Sequence, residues 1–126
     1  MENKLIIKRC SSCGAMVKVL NDCTCDDCGI KCCGKEMDTL APNSVDASFE
    51  KHVPQIEKVE DEIYVKVAHP MEKEHFIEWI AQVSDNKEEC IELYPEGPAE
   101  VRFRYIKGAT VYAYCNKHGL WKKDVE

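Results

Sequence analysis

The chain has no histidine in its first 51 residues. It also lacks an apolar run of membrane-spanning length, and its opening MENKLIIKRC meets cysteine before a signal-type hydrophobic stretch can develop. These absences give the expectation of a cytoplasmic protein without membrane association. No internal repeat, low-complexity tract or long amphipathic helical pattern is present. Basic charge is in deficit, with 17 Lys and Arg against 23 Asp and Glu and a net charge of −6. That balance argues against nucleic-acid or membrane-surface binding, both of which usually need a basic face. It would also repel an anionic substrate, so a site for one needs positive charge nearby.

Cysteine, by contrast, is abundant. Seven of the nine cysteines lie at positions 10, 13, 23, 25, 28, 32 and 33, and only Cys90 and Cys115 follow. Cytosolic proteins rarely keep disulfides, so thiols at such short spacing read first as metal ligands. The four histidines show the complementary distribution, at 52, 69, 75 and 118. Two metal sites of different chemistry in two segments account for both patterns. Residues 40–44 (Leu-Ala-Pro-Asn-Ser) have the character of a linker. The expected division is a Cys-rich metal-binding module over 1–40 and a second domain over 41–126.

A 40-residue module has too little core to fold without a metal or disulfide staple. The second segment carries strand-type runs at 63–67, 76–83, 90–94, 101–106 and 110–114. In the fourth, Val101, Phe103 and Tyr105 alternate with Arg102 and Arg104, as on a sheet with one buried face. Short strands separated by turns point to an all-β protein whose second domain is an antiparallel β-sandwich. The acidic stretch 57–62 reads as a solvated turn. Cys90, beside an apolar run, reads as a buried thiol, and Trp79 and Trp121 as core or site-shielding residues.

CSSCG at 10–14 is a metal knuckle: two thiolates two residues apart hold one ion, and the glycine lets the chain turn back. Two pairs could complete a tetrad. Cys25 and Cys28 form a second C-x2-C knuckle, and Cys32-Cys33 is an adjacent pair followed by Gly34. Four thiolates fit structural zinc as well as redox-active iron.

The second group consists of EKHVP at 50–54, HPMEKEH at 69–75 and YCNKHG at 114–119. It brings together four histidines in loops or at strand ends and one C-x2-H thiol. These motifs, extended as AHPMEKEH and YCNKHGLW and taken in this order, resemble desulfoferrodoxin, the two-iron type of superoxide reductase. CSSCG and CCGKEM resemble that family's small desulforedoxin-like module. The resemblance implies an immunoglobulin-like β-sandwich whose catalytic iron is held by His52, His69, His75, His118 and Cys115. It implies a further iron on Cys10, Cys13, Cys32 and Cys33, although Cys23, Cys25 and Cys28 are extra and leave the Cys25/Cys28 pair as an alternative. It also implies one-electron reduction of superoxide to hydrogen peroxide, with Lys51 attracting the substrate and Glu50 a ligand of the oxidised metal. A rubredoxin-like electron donor and a homodimer come from the resemblance alone. The competing readings are a one-electron carrier using the cysteine site and a zinc-stabilised binding module without redox chemistry.

Overall fold

The computed structural model describes residues 4–26, 29–45 and 47–126. The chain divides into two compact units, Lys4–Ala41 and a second beginning at Pro42. Among the described residues no helix is long and apolar enough to cross a membrane.

In the first unit β1 (Ile6–Arg9) pairs antiparallel with β2 (Met16–Val19). A second hairpin joins β3 (Lys31–Cys32) to β4 (Lys35–Glu36), and β5 (Asp38–Thr39) returns beside β1. The apolar core is small: Leu5, Ile7, Cys10 and Met37. Lys8 is also buried, and its ammonium is satisfied by Thr39 Oγ1 at 2.8 Å and Asp22 Oδ1 at 3.3 Å.

The second unit opens with a single helical turn, α1 (Phe49–His52). Seven strands follow: β6 (Gln55–Val59), β7 (Glu62–Lys66), β8 (Ile77–Val83), β9 (Glu88–Glu92), β10 (Glu100–Arg104), β11 (Thr110–Cys115) and β12 (Gly119–Asp124). They form two antiparallel sheets, ordered β10-β7-β6 and β12-β11-β8-β9. Alternation decides which face is buried. Ile63 and Val65 on β7 lie opposite Phe103 and Val101 on β10, while Glu62, Arg102 and Arg104 face solvent. These four side chains join Ile77, Ile80, Val111, Ala113 and Cys115 of the other sheet in one core. Each large aliphatic side chain buried there contributes about 1.5–3 kcal/mol. The result is the expected all-β architecture with a sandwich as its second part.

Two sequence-based expectations fail. Residues 57–62 are not one turn: Glu57 to Val59 belong to β6, and only Glu60 and Asp61 turn before β7. Polarity misled there because β6 is an edge strand, and four of its five residues are exposed. Cys90 is exposed rather than buried, because β9 is an edge strand of the other sheet. The terminal strand β12 was not anticipated, since its buried Leu120 and Trp121 are followed by three exposed charged residues instead of alternating with them.

Candidate metal centres

Strand pairing assembles the second site. β6 begins where β7 ends (Gln55 opposite Lys66), and β8 begins where β11 ends (Ile77 opposite Cys115). His52 therefore precedes β6, His69 follows β7, His75 precedes β8, Cys115 ends β11, and His118 lies in the β11–β12 turn. Five side chains separated by up to 66 residues converge on one point, with all their candidate ligand atoms within 4.8 Å of one another.

Local chemistry aims each ring. Val53 precedes Pro54 and is held extended, so the helix stops after one turn at His52. The His52 Nδ1–H donates to the Ser48 carbonyl at 2.6 Å and leaves Nε2 facing the group. His69 Nδ1–H likewise donates to the Pro70 carbonyl at 2.5 Å, and its Nε2 lies 3.4 Å from Cys115 Sγ. His118 is inverted: its Nδ1 faces inwards, 3.1 Å from His52 Nε2 and 3.8 Å from Cys115 Sγ. His75 Nε2 is buried without a hydrogen-bond partner. The turn between Cys115 and His118 closes at Gly119, whose φ of +82° glycine adopts without strain. An added Cβ there would lie 3.0 Å from Val45 Cγ2.

The four imidazoles form a closed ring. Centroids are 4.8 Å apart for His52–His69, 4.6 Å for His69–His75, 4.9 Å for His75–His118 and 4.9 Å for His118–His52, each pair edge to face. Trp121 is fully buried, stacks on His52 at 4.9 Å and donates its indole N–H to the His118 carbonyl at 3.0 Å. It is thus the site-shielding residue of the two tryptophans. Trp79 stacks instead on Tyr114, 5.8 Å away.

Burial holds His52, His69 and His75 below the usual imidazole range, and the positive fields of neighbouring histidines add to the effect. His69 is lowered furthest, to about 4. Neutral rings are the form that binds a metal. In the metal-free protein His69 titrates differently in the folded and the unfolded chain. The unfolded chain takes up a proton at His69 near pH 6.5, whereas the folded chain does so only near 4. The stability this shift provides is fully present above 6.5 and is lost as pH falls towards 4. Melting temperatures of metal-free protein should therefore decline across that interval, and a flat profile would contradict the burial of His69.

A neutral, partly orphaned set of four nitrogens and one soft sulfur fits a transition metal. The 3.1 Å separation of His52 Nε2 and His118 Nδ1 matches two ligands at right angles, each about 2.1 Å from one ion. These donors fit the iron that the resemblance implies.

In the first unit Cys10, Cys13, Cys32 and Cys33 come together. Gly14 (φ +80°) turns the first knuckle, and its N–H donates to the Cys10 carbonyl at 2.9 Å. Cys33 and Gly34, both at positive φ, form the two-residue β3–β4 turn, which brings adjacent thiols to one site. Sγ separations are 3.6 Å for Cys13–Cys32 and 3.9 Å for Cys32–Cys33. Hydrogen bonds from the backbone N–H groups of Cys13 and Ser12 lower Cys10 to about 6, while donation to Cys13 and Cys10 pushes Cys32 up to about 12. Crowded thiols thus resist ionising together unless a cation compensates them, as iron or zinc would. Cys23 is free and exposed; Cys25 is disulfide-bonded and stands outside this group. The other member of the alternative pair, Cys28, lies outside the described residues.

Fold and site together define a non-haem metalloprotein with a β-sandwich scaffold. Residues 44–124 match the desulfoferrodoxin family. The desulfoferrodoxin of Syntrophotalea carbinolica is 44% identical over 128 residues, covering 98% of this chain and 99% of that protein. The superoxide reductase structure from Treponema pallidum is similar with a TM-score of 0.71 and 26% identity, covering 95% of this chain and 98% of that one. The one-iron superoxide reductase of Giardia intestinalis is similar with a TM-score of 0.54 and 28% identity, over 61% of this chain and 98% of that one. The chain belongs to the desulfoferrodoxin family and is an oxidoreductase.

Proposed function

We propose that the chain is a superoxide reductase, adding one electron and two protons to superoxide to give hydrogen peroxide. The observation that carries this reading is the closed ring of four imidazoles with a buried thiol against it. His52, His69, His75, His118 and Cys115 are assigned as ligands of an iron, which when bound supplies the electron. With five protein donors, an octahedral ion held by these residues would keep one position free for the substrate. The Cys115 thiolate would supply electron density to that metal, the lever that haem-thiolate sites use. Cys10, Cys13, Cys32 and Cys33 are assigned to the second metal.

Lys51 is exposed on α1, one residue from His52, and its charge contributes to the depressed basicity of that ring. Lys117 acts in the same way on His75. These cations supply the local positive field that an anion needs in a chain of net charge −6. Glu50, on the same exposed turn, would be a ligand of the oxidised metal. The reading places the enzyme in the cytoplasm as a homodimer, re-reduced by a rubredoxin-like protein.

The test is anaerobic purification, metal analysis and rapid mixing of the reduced protein with superoxide. Zinc in both sites, or a rate no faster than that of free iron, would refute the reading. In the same assay Lys51→Ala should slow superoxide capture by up to about 10-fold and weaken its salt dependence, with iron content unchanged. Unaltered kinetics would remove Lys51 from the mechanism.

A further inference from the structure

Three of the four rings have a visible means of orientation. His52 and His69 are tethered through Nδ1 to the Ser48 and Pro70 carbonyls, and His118 lies in the tight β11–β12 turn. His75 has no such tether among the described residues, and its buried Nε2 is unpartnered. The residues on either side of it are fastened instead. The Asn116 carboxamide donates through Nδ2 to the Glu74 carbonyl at 3.0 Å and accepts at Oδ1 from the Phe76 N–H at 3.1 Å. The Asn116 backbone N–H donates to the Phe76 carbonyl at 3.2 Å.

These bonds lie where the β8–β11 ladder becomes irregular. Tyr114 is opposite Trp79, but Cys115 is opposite Ile77, so Glu78 is an extra residue on β8. A bulge re-aims side chains at the cost of regular pairing. The Asn116 side chain takes up the pairing where the ladder stops, and Asn116 directly follows Cys115.

We propose that Asn116 is the positioning residue for His75, holding the His75 loop in register with Cys115 so that ring and thiol meet at one metal. Asparagine suits the task because a single planar group both donates and accepts. Aspartate keeps the acceptor for the Phe76 N–H and loses the donor to Glu74, and alanine loses both. The inference rests on the assignment of the histidine–cysteine group as an iron site.

The experiment compares iron-loaded wild type with Asn116→Ala, Asn116→Asp and a core control, Val111→Ala. The readouts are iron affinity in competition with a chelator, the thiolate-to-iron absorption band of the oxidised form, and melting temperature. Asn116→Ala should weaken iron binding at this site about 10- to 100-fold, the usual effect of removing a group that orients a ligand. It should also shift the absorption band, with Asn116→Asp intermediate. Val111→Ala should lower the melting temperature and leave affinity and band as in wild type. Wild-type affinity and band in Asn116→Ala would overturn the inference, as would the same spectral change in Val111→Ala. Should the alanine variant not fold, Asn116→Asp decides by the same criteria. Absence of the thiolate band in the wild type would refute the iron-site reading itself, which separates the two failures.

Discussion

Cys115→Ser should reduce the rate of superoxide reduction by about 100-fold or more, leaving the spectrum of the amino-terminal cysteine centre unchanged. Cys115 is completely buried and ends a strand whose described residues are all buried, so the near-isosteric exchange should cost the fold little. Its chemical cost is large. A serine hydroxyl remains protonated near neutral pH, where a metal-bound cysteine is a thiolate, and it offers a hard oxygen in place of a polarisable sulfur. Changes to groups that merely orient a ligand cost about 10- to 100-fold, so loss of the ligand itself should exceed that range. Rapid mixing with superoxide gives the rate, and the visible spectrum reports each centre separately. A variant with wild-type turnover would show that Cys115 is not a ligand of the reacting metal.

Trp121→Ala should produce the largest loss of stability, about 3–5 kcal/mol from the cavity left by a fully buried aromatic side chain. In a domain of this size each kcal/mol is worth roughly 4–8 °C, so the second unit should melt at least about 12 °C lower. The substitution also removes the stack on His52, the edge contact with Phe49 at 5.1 Å and the hydrogen bond to the His118 carbonyl. Trp121→Phe keeps an aromatic face for His52 and loses the indole donor. It should recover most of the loss, short by about 1 kcal/mol for the missing hydrogen bond plus a smaller cavity term. Thermal melts of the two variants check the ordering, and equal stability would place the contribution of Trp121 elsewhere.

Residue type and spacing marked both donor groups, because metal ligation restricts the two together, but in the first unit spacing left Cys25/Cys28 as an alternative to Cys32/Cys33. CSSCG, the adjacent cysteine pair, HPMEKEH and YCNKHG each carry that restriction. Val101 to Arg104 was legible as a strand because one of its faces is buried and the other wet. Legibility failed on the edge strands. β6 and β9 each pair with one neighbour, so their side chains need not follow the core pattern, and Glu57 and Cys90 were placed by polarity instead of by pairing. Choice of ring nitrogen was also hidden. It depends on which backbone carbonyl lies beside Nδ1, and only folding brings Ser48 and Pro70 to that position. Asn116 left a faint trace as the residue after the ligand in Cys-Asn-x-His, but its partners Glu74 and Phe76 lie some 40 residues earlier.

The turn at Cys33 and Gly34 bears on how much change the first unit can absorb. Its four thiols are delivered by two tight bends, Cys10 to Gly14 and Cys32 to Lys35, each aimed by its own backbone. Between β2, which pairs with β1, and β3 the chain closes a loop, and none of the described residues there supplies a sulfur to the tetrad. Closure entropy grows only logarithmically, so even doubling such a loop costs about 0.6 kcal/mol. The stretch after β2 is therefore where added length costs least, and Cys23 and Cys25 reside there without joining the tetrad. Length and composition there can drift while the bends at either end stay constant.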